Sequence, residues 1–250
     1  MKSLAKSLTI SFLSSVLLVA HSTQADTVFG IYAGAGSWLG KYSGSVGDPA
    51  ASAADLGMDD KNTTYYYVAI EHPVPFFPNI KLQHNDIRST QTSAVEDDFR
   101  LDDITFPSGT TLKTDFDLSY TDATLYYEVL DNWLNLDLGV TLRKHDGYLH
   151  ADTTVVSEKV DVDLTLPLAY GKFQFDLPLT GFIAGFEGNY IGYDGNELFD
   201  YTAKVGYLLD SALDLGLEAG YRSITMNIDD DDVAANLELK GPYLAIVLHF

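Results

Sequence analysis

Cysteine is absent from all 250 residues. That excludes disulfide staples, thiolate chemistry, zinc sites built on Cys and a lipid anchor on cysteine. Basic residues are scarce: 15 Lys and Arg stand against 36 Asp and Glu, a net charge of −21. A chain this acidic lacks the Lys/Arg clusters that a phosphate backbone requires, so nucleic acid is excluded as a partner. Long apolar runs are missing too. The stretch LTISFLSSVLLVA (8–20) falls short of the ~20 residues a spanning helix needs. It follows Lys2 and Lys6 and leads to Thr23-x-Ala25, the build of a secretory signal peptide cleaved after Ala25. The expected division is a signal peptide, 1–25, and one domain, 26–250. Losing Lys2 and Lys6, with no acid in the same segment, moves the charge from −21 to −23.

What the chain does have is tyrosine, 16 residues of it, and a period of two. In WLNLDLGVTLR (133–143) the even positions Leu134, Leu136, Leu138, Val140 and Leu142 alternate with Asn135, Asp137, Gly139, Thr141 and Arg143. ALDLGLEAGYR (212–222) and FDYTAKVGYL (199–208) repeat the pattern, the latter with Asp200, Thr202, Lys204 and Gly206 on its polar side. Each is a strand with one apolar and one polar face. The polar faces mix Gly with Asp, Glu and Arg, which suits the crowded, curved inside of a small closed barrel. Further strand-like runs lie at 27–38, 63–72, 79–86, 114–130, 160–177, 181–193 and 236–250. In two of them the apolar parity changes, between Phe116/Leu118/Tyr120 and Leu125/Tyr127/Val129, and again near Tyr170–Gly171. A β-bulge at each place is expected to hold the apolar face on one side.

The count is about ten strands, with eight as the alternative, so the expected fold is an all-β, closed antiparallel transmembrane barrel. Short connections at 72–79, 130–132, 177–181 and 208–212 alternate with long or polar ones near 40–62, 87–113, 144–159, 193–198 and 227–235. Outer-membrane barrels pair short periplasmic turns with longer extracellular loops in this way. Trp133, Phe175, Phe182, Tyr207 and Phe250 fall near the short turns, and Tyr190, Tyr201 and Tyr221 toward the long loops, as two aromatic girdles would. In the last strand Leu244, Ile246, Leu248 and Phe250 alternate, the form of a C-terminal signal read by the outer-membrane barrel insertion machinery.

Four stretches, 124–147, 175–193, 201–223 and 241–250, resemble an uncharacterised family of small Gram-negative outer-membrane β-barrel proteins. The resemblance covers roughly the second half of the chain and implies fold and outer-membrane localisation. It supplies no activity and no catalytic residues.

Inward faces are expected to carry Glu71, Lys81, Glu128, Asp137, Arg143, Lys172, Asp176, Glu187, Lys204, Asp214, Glu218 and Arg222. Buried charges must pair. Asp137, Arg143, Glu187, Lys204, Asp214, Glu218 and Arg222 are accordingly read as a lumen charge network, with Gly185, Gly206, Gly216 and Gly220 giving it room. The acidic pairs and runs Asp59-Asp60, Glu96-Asp97-Asp98, Asp102-Asp103 and Asp229 to Asp232 are hard-oxygen groups that suit weakly held Ca²⁺ or Mg²⁺ at the loops. NIDDDDVAAN lacks the Gly and terminal Glu of an EF-hand loop, and a run of like charge is ordinarily solvated. His72, His84, His145, His150 and His249 are scattered, none begins His-x-Ser, and no catalytic set or cofactor site is legible. The expectation is a monomeric barrel of structural or surface-interaction type, in outer-membrane lipid and lipopolysaccharide, with a filled lumen and acidic loops. A small cation-preferring diffusion channel is the alternative, and a lipid- or peptide-modifying enzyme comes third.

Overall fold

The computed structural model describes residues 29–58, 61–102, 104–209, 214–229 and 234–249. The expected signal peptide (1–25), Asp59-Asp60, Asp103, Asp230 to Asp232 and Phe250 lie outside these residues. The strands are β1 (Gly30–Gly47), β2 (Ala50–Ser52), β3 (Lys61–Glu71), β4 (Asn79–Asp86), β5 (Arg88–Ala94), β6 (Phe99–Leu101), β7 (Ile104–Phe106), β8 (Thr111–Asp117), β9 (Tyr120–Leu130), β10 (Leu134–Asp152), β11 (Ser157–Asp176), β12 (Phe182–Tyr193), β13 (Asn196–Leu209), β14 (Asp214–Asp229) and β15 (Ala234–His249).

Ten of them close a ring in the order β1, β3, β4, β9, β10, β11, β12, β13, β14, β15, each antiparallel to its neighbours. The seam is β15 on β1, with Tyr32 opposite His249 and Trp38 opposite Tyr243. Closure leaves no unpaired edge around the ring. Outside it runs a belt of apolar side chains. Val140, Leu217 and Leu244 are more than half exposed there. Leu138, Leu215, Ile246 and Leu248 point outward, while Asp137 and Glu218 are buried. Trp133 packs on Phe175 and Phe182 on Tyr207 near the short-turn end; Tyr190 on Phe199 and Phe186 on Tyr201 lie higher.

Two expectations are corrected, and one feature was not expected. The segments 40–62, 144–159, 193–198 and 227–235 are largely strand: β10 and β11 pair without a break from Leu134↔Phe175 to Asp152↔Ser157, leaving four residues as a connection. Beyond the belt the outward face carries polar residues such as Lys144 and Asp146, so the alternation that marks the belt stops while the ladder continues. The segment 87–113 is likewise folded. β5 and β8 continue the β4–β9 hairpin upward, and β8 docks on the upper part of β10.

The second correction concerns parity. No bulge occurs at 116–125: Leu112, Phe116, Tyr120, Asp122 and Tyr126 are all buried, so even positions face inward throughout. Likewise Leu168 and Tyr170 are both buried, and the β10–β11 register passes Gly171 without a shift. The apolar residues change because the lining changes, from a polar lumen to an apolar plug. The register shift that does occur lies where Leu136 pairs Leu130 and Asp137 pairs Glu128.

That plug is the third difference. Leu56, Val95, Leu101 and Phe106, from the connections at the long-loop end, pack with Val46, Leu112, Phe116, Ala151 and Leu239 on the barrel wall. Burying each large apolar side chain stabilises by about 1.5–3 kcal/mol. Backbone bonds tie the plug down: the Arg100 amide donates to the Pro49 carbonyl at 3.0 Å, and the Ala53 amide to that of Gly44 at 2.8 Å.

Candidate functional site: the barrel interior

Beneath the plug lies a layer of ions. Arg143 on β10 stands opposite Asp122 on β9. Its Nε and Nη2 donate to the two oxygens of Asp122, both at 2.8 Å, as a bidentate fork. Nη2 also donates to Asp200 on β13 at 2.7 Å. Arg222 on β14 reaches Asp200 through Nε and Nη2 at 3.1 and 2.9 Å, and Asn85 Oδ1 on β4 through Nη1 at 2.7 Å. Tyr120 accepts from Arg222 at 2.7 Å and donates to Asp200 at 3.1 Å. Its ring lies 3.8 Å from the Arg143 guanidinium carbon, and Trp38 flanks Arg222 at 5.2 Å. All four ions are buried. Two guanidinium groups balance two carboxylates, so the layer is neutral, and it links strands from nearly opposite walls.

Nearer the short turns the charges form separate pairs. Lys172 binds Asp137 on the adjacent strand at 2.9 Å, and Lys204 binds Glu218 at 3.0 Å. Lys81 crosses the lumen to Glu187. Tyr126 donates to Glu71 at 2.8 Å, Asn79 to Glu128 at 3.1 Å and Asn135 to Asp176 at 2.5 Å. Between this level and the ion layer is a cavity of about 140 Å³ that reaches Tyr32, Leu208 and His249 toward the short-turn end.

The seven residues of the expected network are thus divided. Arg143 and Arg222 belong to the upper layer, and Asp137, Glu187, Lys204 and Glu218 to the lower pairs. Asp214 sits at the mouth with His249 Nδ1 3.6 Å away. Asp122 and Asp200, the acids that hold both arginines, were missed as partners. Asp122 shares even parity with Tyr126 and Glu128, a relation hidden by the assumed bulge. Asp200 stands on a face already read as polar. Two of the interior glycines leave room for large side chains outside the network: a Cβ at Gly220 would lie 2.7 Å from the Tyr243 ring, and one at Gly206 2.9 Å from Ile183. Of the C-terminal set, Leu244, Ile246 and Leu248 face outward.

Other groupings are less complete. His150 Nε2 lies 2.9 Å from Ser157 Oγ on the outer sheet. Asp115, opposite His150 on β8, takes its hydrogen bonds from Thr90 and Tyr148 rather than from that imidazole. In the acidic turn, Asp98 accepts from the Ser108 amide at 2.6 Å. Among the described residues no three His, Asp or Glu are grouped to hold a metal ion. No protein-family model and no curated protein matches the chain.

Proposed function

We propose that this chain is an outer-membrane β-barrel that does not conduct, and that its work lies in the folded sheet raised above its outer rim. One observation carries the reading: the lumen is crossed by a buried, charge-balanced Arg–Asp layer under an apolar plug. A water column through the barrel would have to displace both. Above them β10 and β11 continue into an outer sheet with β5 and β8, a rigid surface bearing Lys, Asp, Ser and Tyr. The membrane location is supported by the apolar belt, since soluble monomers rarely expose contiguous apolar surface beyond a few hundred Å². Its partners on this reading are outer-membrane lipid and lipopolysaccharide along the belt, and the insertion machinery through Leu244, Ile246, Leu248 and Phe250. The barrel needs no second copy to close.

Fractionation tests this directly. The wild-type protein should sediment with outer membranes and require detergent for release, and on intact cells protease should reach 95–110 but not 177–181. Recovery of a soluble periplasmic protein would overturn the reading.

A further inference from the structure

The cavity below the ion layer is not explained by a closed barrel of structural type. At about 140 Å³ it is near the ~150 Å³ that holds one six-membered ring, and its open short-turn end leaves ring substituents somewhere to reach. Its wall is aromatic: Tyr65, Tyr67, Tyr126, Tyr170 and Tyr243 all line it. Two of these rings occupy ground that only glycine leaves free. A Cβ at Gly34 would collide with the Tyr67 ring, and one at Gly36 would come within 2.7 Å of Tyr65.

The charge pattern narrows the occupant. Lys204 with Glu218, and Lys81 with Glu187, are already matched, and Glu71 is held by the Tyr126 hydroxyl, so a charged ligand would have to compete with a bond already made. An organic cation would seek the tyrosine rings, but Lys81 Nζ stands 4.8 Å from the Tyr67 centroid and takes that role. A purely apolar ring would strip water from the ammonium and carboxylate groups and return no hydrogen bond. Each of those groups has bonding capacity beyond its partner, three donors on an ammonium and about four lone pairs on a carboxylate. Asn189 also lines the cavity, and its amide oxygen is buried with no hydrogen-bond partner among the described residues.

We propose that this cavity is a binding site for an uncharged, polyhydroxylated ring of monosaccharide size, entering from the short-turn end. Hydroxyl groups both donate and accept, so they serve the matched pairs without separating them, and the ring's C–H faces pack on tyrosine.

The test is ligand-observed saturation-transfer NMR on the full protein in an amine-oxide detergent, which carries no sugar. Glucose, choline and acetate are titrated separately. Saturable transfer from glucose alone is the expected result. Two variants follow, with retention of the folded barrel checked by its heat-dependent gel mobility. Ala69→Phe, which fills the cavity, should abolish the signal. Asn189→Leu should weaken glucose about tenfold, the loss of one hydrogen bond to a buried acceptor, without lowering the unfolding midpoint. Saturable binding of choline or acetate, absence of glucose binding to the wild type, or undiminished binding by a folded Ala69→Phe barrel would overturn the assignment.

Discussion

Arg222 shows how the interior is stabilised. Its guanidinium makes four hydrogen bonds to three residues, and all of them lie out of water. Removing one partner of a buried ion set is far costlier than removing a surface pair, because the acid left behind keeps its desolvation cost. Arg222→Met should therefore destabilise the barrel by about 3–5 kcal/mol in urea unfolding of the detergent-folded protein. Lys144, paired with Asp163 on the exposed sheet, is the control, and Lys144→Met should leave the midpoint unmoved. Equal losses in the two variants would contradict a structural role for the ion layer. Residues of the lower lumen were legible from parity alone, since Asp137 and Glu218 alternate with leucines on long, regular strands. Asp122 was not. Phe116, Leu118 and Tyr120 are apolar like a lipid-facing set, and nothing local distinguishes an apolar residue turned into a plug from one turned outward.

Strands are where facing can be tested. Val140 and Leu142 continue the outward row of Leu138 on β10, and Asp137, Thr141 and Arg143 the inward one. Leu138→Arg should cost about 2–4 kcal/mol if that row crosses the bilayer midplane. Cysteine placed at 138 or 217 should react with a membrane-restricted reagent, whereas at 137 or 218 it should not; the opposite labelling would reverse the assigned faces. On β8 the same parity leads to a different outcome. Phe116 is buried in the plug, so Phe116→Ala should cost about 3–5 kcal/mol through cavity formation. The loosened plug should also make 95–110 more sensitive to protease while the barrel keeps its folded gel mobility. Unchanged sensitivity would show that the plug does not depend on this ring. The fold's belt was legible because outward-facing and lumen-facing residues of a strand must alternate. Its outer extensions were not, because there the same ladder runs through residues such as Lys144, Asp146, Asp161 and Asp163 that read as loop.

For the molecule as a whole, the two closures act in series. The apolar plug excludes water at the long-loop end, and the Arg143–Asp122–Asp200–Arg222 layer fills the cross-section beneath it with matched charge. Below that layer the interior opens into the tyrosine-lined cavity, so on the proposed reading the barrel is a cup rather than a pore. The steady conductance of purified wild-type protein in planar bilayers tests this most directly. No stable channel above the background of the bare bilayer is the result expected, with Arg222→Met producing flickering openings as the layer loosens. A stable, cation-selective conductance from the wild type would contradict the closed lumen and make the acidic outer surface the vestibule of a channel.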